Sequence, residues 1–344
     1  MLLHEHLENG ADKNPNFPFS EFEGNSLSYQ EADLLSNQLA NKLVSEGLEV
    51  GDRFAFLAKN CTEMAIMYYA ASKVGVVPVP LNYRLADQEW AYIINDSEAK
   101  LIIVKGNEYS DRINQISSEL KNIKKYISIS LDNSIEKFHD FYDWLSDSSN
   151  EKPALKIDEN YDVYQMYTSG TTGHPKGAVL LQRNVAANIR QYLNSLTLPR
   201  PSRTLLVAPM YHAAAMINMC GCIAIGGTIV IQEDFIPQDV VDCLANEKIT
   251  HTVLVPAMIQ ACLVSVPNVA SNEYNDLDQI HYGASPIAPE TLKKAMDVFK
   301  CKFGQGFGMT ETVAVICLMT PEDHIRAIEE KPDLLKSCGR PAID

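Results

Sequence analysis

Eleven residues, Tyr167 to Gly177, read Tyr-Thr-Ser-Gly-Thr-Thr-Gly-His-Pro-Lys-Gly and close the β-rich run VYQMYT. The hydroxyls of Thr168, Ser169, Thr171 and Thr172 and the N–H groups of the turn can donate to phosphate oxygens, and Lys176 adds a point cation. Gly170, Gly173 and Gly177 permit positive φ and let backbone come close to a ligand. This is not a Walker A loop, because counting from Gly170 puts Pro175 where the second glycine should stand. A flexible Ser/Thr/Gly linker would share the composition. It would not explain a strand running straight into the segment, or Pro175-Lys176-Gly177 closing it.

Charge singles out the same region. The chain has 344 residues, 29 Lys and Arg against 44 Asp and Glu, and a net charge of −15. From Val163 to Gln232 there is no acid at all, while Lys176, Arg183, Arg190, Arg200 and Arg203 fall inside the window. A nucleic-acid backbone is repelled by the whole. A small polyanion meets a locally positive strip, and screening over about 8 Å makes that local charge the relevant one.

Three further segments offer chemistry. His212 follows the strand-like run TLLVAP in an uncharged stretch, where a lone histidine is more often a hydrogen-bonded core residue than a catalyst. Gly283-Ala284-Ser285-Pro286 follows QIHYG and precedes a helical pattern, the place where α/β folds put ligand loops. It is no nucleophile elbow, since Ile287 stands two residues after Ser285. Gly304-Gln305-Gly306-Phe307-Gly308-Met309-Thr310-Glu311 reads as a Gly-rich turn carrying an aromatic, a hydroxyl and a carboxylate. Before the apolar run VAVICLM, Glu311 is expected at a strand end near the core. There it would need a partner: a hard cation such as Mg²⁺ held with phosphates, or a helix N-terminus or salt bridge. His4-x-His6 and Cys220-x-Cys222 have no second ligand pair at a suitable spacing and read as incidental.

The loop resembles the phosphate-binding signature of the adenylate-forming superfamily of acyl-CoA synthetases, luciferase and peptide-synthetase adenylation domains. Pro209-Met210-Tyr211-His212, Tyr282 to Pro286 and Gly304 to Glu311 agree in order and spacing, and Val77 to Leu85 (VPVPLNYRL) resembles the acyl-CoA synthetase branch. The resemblance implies that Thr168 and Glu311 hold Mg²⁺ and that Thr310 contacts the α-phosphate. It implies that Ser169, Gly170, Thr171, Thr172, Gly173 and Lys176 receive the other phosphates. Gln305, Gly306, Phe307 and Gly308 would border the nucleotide, Gly283, Ala284 and Ser285 would face adenine, and His212 would abut the acid's carboxylate. His212, Lys176, Thr310 and Glu311 are thereby the implied catalytic set, with ATP, Mg²⁺ and coenzyme A as cofactors and co-substrate. The implied reaction is adenylation of a carboxylic acid followed by transfer to the thiol of CoA.

The residues after His212 narrow the acid itself. Ala213-Ala214-Ala215-Met216-Ile217 has no anion for the ammonium of an amino acid, so a fatty acid or an aryl acid is expected. Met216, Met258 and Ile287 are expected to line the tail. A non-catalytic nucleotide-binding scaffold is the alternative of another class.

The elements that must hold these residues alternate. Ser28-x-x-Glu31 opens a helix ending at Gly47, then RFAFLAK, VVPVP, KLIIV, YISIS, VYQMYT, TLLVAP, TIVI, HTVLVP and QIHYG alternate with helical patterns. This predicts an α/β fold with parallel or mixed sheets covered by helices on both faces. We expect subdomains of about 52–195 and 1–51 plus 200–320, a polar linker at 146–160, and 321–344 as the start of a barrel subdomain. By resemblance the barrel, a ribose-holding Asp and a C-terminal domain with a catalytic Lys lie beyond this sequence. Apolar surface left for the barrel would favour a homodimer.

Thr204 to Gln232 has no charged side chain, yet Pro209, His212, Asn218 and Gly226-Gly227 break it below the ~20 residues of a membrane span. The N-terminus shows no signal-peptide pattern. Eight cysteines without a CxxC pair suit reduced thiols, so a cytoplasmic protein is expected.

Overall fold

Apolar runs four to six residues long, set between helical patterns, become parallel strands joined by crossover helices, because such strands must be covered on both faces. The structure is a computed structural model that describes residues 1–130, 135–168 and 173–344. The chain divides into two units, residues 1–16 with 29–186, and residues 17–28 with 187–344.

The N-terminal half begins with α1 (Leu3–Lys13), β1 (Pro18–Phe22), β2 (Asn25–Ser28) and α2 (Tyr29–Ser45). It continues through β3 (Arg53–Leu57), α3 (Thr62–Val74), β4 (Val77–Leu81), α4 (Asp87–Asp96), β5 (Leu101–Lys105) and α5 (Asn107–Ile116). β6 (Lys125–Ile129), β7 (Phe138–Asp140), α6 (Phe141–Leu145), β8 (Asp162–Thr168) and β9 (Lys176–Leu181) complete it.

In the first unit five strands run parallel in the order β4-β3-β5-β6-β7. α3 is buried along nearly its whole length. Its Tyr68 meets Phe56 and Tyr164 edge-on at 5.6 and 5.9 Å. Lys73 of the same helix lies 2.5 Å from both Asp33 Oδ1 and Asn37 Oδ1 of α2. Burial pulls the Lys73 pKa down while the Asp33 carboxylate opposes it. His4 is occupied in the same layer, its Nδ1 lying 2.9 Å from Ser72 Oγ. β8 and β9 form a separate antiparallel ribbon, and β9 is absent from the runs that the sequence singles out.

The second unit adds α7 (Gln182–Ser195, from residue 187 onward), β10 (Arg203–Leu206), α8 (Ala213–Ala224), β11 (Thr228–Ile231), α9 (Pro237–Asn246) and β12 (His251–Leu254). α10 (Pro256–Ser265), β13 (Gln279–Gly283), α11 (Pro289–Phe299), β14 (Lys302–Phe307), β15 (Cys317–Met319), α12 (Pro321–Glu329) and β16 (Arg340–Pro341) come next in the chain. They build a nine-stranded mixed sheet ordered β16-β15-β14-β13-β12-β10-β11-β1-β2. The segment β14-β13-β12-β10-β11-β1 is parallel throughout. Leu205, Val240, Ile259, Ile280, Phe299 and Phe303 belong to its core cluster.

The α/β class is as expected; the subdomain limits are not. Of the first 51 residues only 17–28 join the second unit, because β1 pairs in parallel with β11, Ser20 opposite Ile229. α1 and α2 stay with the first unit, where Lys73 ties them in. Residues 146–160 lie inside the first unit, with Asn41 donating to the Ser149 and Glu151 carbonyls, and mark no boundary. Residues 321–344 extend the second sheet through β16. The Arg340 guanidinium sits 2.6 and 2.8 Å from the Asp323 carboxylate oxygens, so this segment is tied to the unit it continues. Thr204–Gln232 resolves into β10, buried α8 and β11. Among the described residues no helix is long and apolar enough to cross a membrane.

Candidate active site

The described ends of the phosphate-loop motif belong to the β8–β9 ribbon: Thr168 ends β8 and Lys176 begins β9. Thr168 and Lys176 face each other in register, with Thr168 Oγ1 3.5 Å from the Lys176 carbonyl. Ser169, Gly170, Thr171 and Thr172 lie outside the described residues. Gly173 takes a φ of 141°, and Lys176 is exposed. Gly177 serves a different end from the one expected. A Cβ there would lie 2.3 Å from Gln165 Nε2 and 2.9 Å from Tyr167 Cζ, so the missing side chain makes room for the neighbouring strand's side chains.

The acid-free strip is divided between the two units. Lys176 and Arg183 belong to the first unit, whereas Arg190, Arg200 and Arg203 belong to the second. Arg203 is committed to Glu21, with nitrogen–oxygen distances of 2.6 and 2.5 Å, and those hydrogen bonds hold the Glu21 carboxyl below its usual range. Arg190 pairs with Asp344 at 3.4 Å. Two of the five cations are therefore already answered by acids from distant parts of the chain.

The second unit contains a cavity of about 300 Å³ at the carboxyl ends of its parallel strands. One side is the first turn of α8, with Ala213, Ala214 and Ile217, and His212 stands at the N-cap of that helix. His212 is exposed, and its ring lies 4.4 Å from that of Tyr211. Gly283, Ala284, Gly306, Phe307, Gly308, Met309 and Thr310 line the same cavity. Seven expected site residues, His212, Gly283, Ala284, Gly306, Phe307, Gly308 and Thr310, thus share one space. Ser285, Gln305 and Glu311 do not line it. Ala284 is held at a φ of 65°, a left-handed conformation that is costly for a residue with a Cβ. Gly304 to Phe307, read as a turn, is strand β14, and only the residues beyond it turn.

The expected tail-lining residues are misplaced. Met216 is buried within α8, Met258 is in the core cluster, and Ile287 packs against that cluster. Tyr192 of α7 and Leu196 just after it, with Val253, Val255 and Leu318, take their place around the cavity.

Sequence reasoning also missed His281. It lines the cavity, is 4% exposed, and neither ring nitrogen has a hydrogen-bond partner. Burial lowers its pKa to about 4, so the ring is neutral at pH 7. Its neighbour Tyr282 is fully engaged. His324 Nδ1 lies 2.8 Å from the Thr320 carbonyl, which can only accept, so Nδ1 carries the proton and Nε2 accepts from Tyr282 Oη at 2.9 Å. The only sequence signal for this group was a histidine and a tyrosine inside an otherwise ordinary strand.

Glu311 is not near the core. It sits exposed in the short 3₁₀ turn Thr310–Thr312, so burial gives it no need of a partner. Among the described residues no three His, Cys, Asp or Glu side chains gather into a metal cluster. A Mg²⁺ ion that arrives with nucleotide phosphates and keeps its waters asks for only one or two carboxylates, which a single exposed Glu311 can meet.

The fold is α/β, with a cavity at the carboxyl ends of its parallel strands. The chain belongs to the AMP-binding enzyme family, whose model matches residues 7–344. It is 29% identical over 337 residues to the fatty acid–[acyl-carrier-protein] ligase ScoC of Streptomyces coeruleorubidus, covering 96% of this chain and 62% of that protein. It is 28% identical over 297 residues to a feruloyl-CoA synthase of an Amycolatopsis species, covering 86% and 57%. The inhibitor-bound N-terminal domain of FACL13 from Mycobacterium tuberculosis superposes with a TM-score of 0.89 at 25% identity, covering 99% of this chain and 82% of that one. The chain thus spans about three fifths of the length of the curated relatives it matches.

Proposed function

We propose that the protein is an acid–thiol ligase that activates a carboxylic acid with ATP and passes the acyl group to coenzyme A. An oxygen of the acid bonds to the α-phosphorus of ATP as the bond to pyrophosphate breaks. The thiol sulfur then bonds to the acyl carbon, its proton is lost, and AMP leaves with the electrons of the acyl–oxygen bond. Such chemistry asks the protein mainly for positioning and charge neutralisation.

The observation that carries this reading is the shared cavity, apolar on its α8 side and bordered by the Gly306–Thr310 segment, with His212 on its wall. In this assignment His212 meets the acid's carboxylate and Thr310 the α-phosphate. Gln305, Gly306, Phe307 and Gly308 border the nucleotide, and Gly283, Ala284 and Ser285 face adenine. Lys176, Gly173 and the hydroxyl-rich residues 168–172 take the remaining phosphates. Thr168 and Glu311 would hold Mg²⁺, which, when bound, neutralises phosphate charge.

The acid is an apolar one, and we assign the chain to fatty-acid metabolism in the cytoplasm, where its eight free cysteines suit a reducing compartment. The first turn of α8 offers no counter-charge for an ammonium. A second reading, a hydroxylated aromatic acid, is favoured by His281: a buried imidazole without a partner is costly, and a substrate hydroxyl supplies one. Pyrophosphate exchange with a panel of fatty, aryl and amino acids tests both. Exchange with amino acids overturns the apolar assignment. ATP binding without exchange on any acid leaves the nucleotide-binding scaffold as the function.

A further inference from the structure

α4 is a fixed platform. Trp90 is buried and donates from Nε1 to the Asn82 carbonyl at 2.8 Å. Arg112 stacks 3.9 Å above the Trp90 ring and pairs with Asp87 at 2.7 Å. On another part of this helix Tyr92 and Asp96, four residues apart, reach His174 just before β9 and Tyr167 in β8. In β8, Tyr167 Oη donates to Asp96 Oδ2 at 2.7 Å. It in turn accepts from Gln165 Nε2 at 3.0 Å, and Arg53 donates to Gln165 at 3.3 Å. Two residues before β9, the His174 ring stacks on Tyr92 with 4.5 Å between centroids and 18° between planes. Tyr92 Oη is itself 3.5 Å from Asp96 Oδ1. One helix face therefore grips residues 167 and 174, and Gly177 leaves the room that the grip on Tyr167 requires.

We propose that Tyr92 is a positioning residue: through its stack on His174 it presets the exit of the phosphate-loop motif, and so the place of Lys176, for a nucleoside triphosphate. For its ligand the inference rests on the proposed function. Its mechanical part does not. If residues 173–176 are released from α4 they must be ordered when phosphate binds, and that ordering weakens affinity.

The test uses Tyr92→Ala, Tyr92→Phe and His174→Ala in the full chain, with Lys176→Ala as a reference for phosphate contact. Tyr92 is partly exposed, so the Ala variant removes no core side chain. Hydrogen exchange over residues 173–181 without nucleotide reads the latch directly. Calorimetric affinities for ATP and AMP read its consequence. Tyr92→Ala is expected to speed exchange there and weaken ATP binding by about twofold to tenfold, the range that a ring pair spans. Tyr92→Phe, which keeps the stack, stays at wild-type values in both. His174→Ala matches Tyr92→Ala, and the double variant adds nothing further. Unchanged exchange in Tyr92→Ala overturns the latch, as does faster exchange with undiminished ATP affinity. A Lys176→Ala protein that binds ATP like wild type sinks the proposed triphosphate role of the loop instead, and exchange alone then decides the latch.

Discussion

The imidazole of His281 fills the space that a side chain at position 304 would need. The two residues face each other across β13 and β14, and a Cβ on Gly304 would lie 2.6 Å from Nδ1 and 3.0 Å from Cε1. The ring is buried, so moving it aside would disturb its packing. Gly304→Ala is therefore expected to cost about 1–3 kcal/mol of stability in urea unfolding, as overpacking does. His281→Ala opens the same space, so the double variant should be more stable than the sum of the single losses requires. Strict additivity would mean that the two sites do not contend for one volume.

Buried histidines set the acid limit of the fold. Burial lowers His4 and His6 to about 4, His251 to about 3 and His281 to about 4. Their unfolded pKa is near 6.5, so between these values the unfolded chain holds more protons than the folded one, and stability rises with pH. The contribution is complete above about pH 6.5 and is lost progressively as pH falls toward 4. Each proton taken up on unfolding adds as much as ~1.4 kcal/mol per pH unit to the slope. Urea unfolding at steps from pH 7 to 4.5 should show a steady fall, made shallower by His281→Gln. A flat profile over that range contradicts the buried neutral rings.

The legible part of the fold is the part whose information is local. β3, β4 and β5 are visible because buried parallel strands are apolar at successive positions. β9 is not, because KGAVLL comes directly after the loop motif and its partner is set by register with β8. β14 was hidden by its glycines, one of which is empty for the sake of His281 across the sheet. The transfer of residues 17–28 to the second unit depends on β1 pairing with β11, some two hundred residues away, and no local pattern encodes that. Within the site, the motif residues His212, Gly283 and Gly306 line one cavity, because each stands where the chain leaves or nears the end of a parallel strand. Glu311 was misjudged because an apolar run after it suggested burial, whereas the 3₁₀ turn holds it out.

Lys176 supplies the loop's cation from an exposed position. If it meets the outer phosphates, Lys176→Ala should weaken ATP binding about tenfold, one charge-assisted hydrogen bond's worth, and leave AMP within twofold. Equal losses for ATP and AMP in calorimetry would move Lys176 away from the β- and γ-phosphates.

Glu311→Gln preserves shape and removes charge. Because the carboxylate is exposed, the substitution should leave the unfolding midpoint unchanged. The Mg²⁺ concentration needed for half-maximal ATP binding should rise, with metal-free AMP affinity unaltered. A magnesium titration superimposable on wild type would reduce Glu311 to a turn residue.

Ala214 tests the acid side of the cavity most directly, because it lines the space from the first turn of α8 without belonging to the buried core. A phenylalanine there would project into the cavity, with its ring replacing the far part of a bound acid. The helix itself should tolerate the change, since aromatic residues cost only a few tenths of a kcal/mol against alanine in helix propensity. Pyrophosphate exchange with long-chain or aryl acids should then show KM raised at least about tenfold, the cost of losing a few buried methylenes. Exchange with a two- or three-carbon acid, which does not reach the added ring, should keep its KM, and ATP affinity should be unchanged. Long and short acids impaired alike would place the acid's tail elsewhere, and would remove Ala213, Ala214 and Ile217 from the substrate wall.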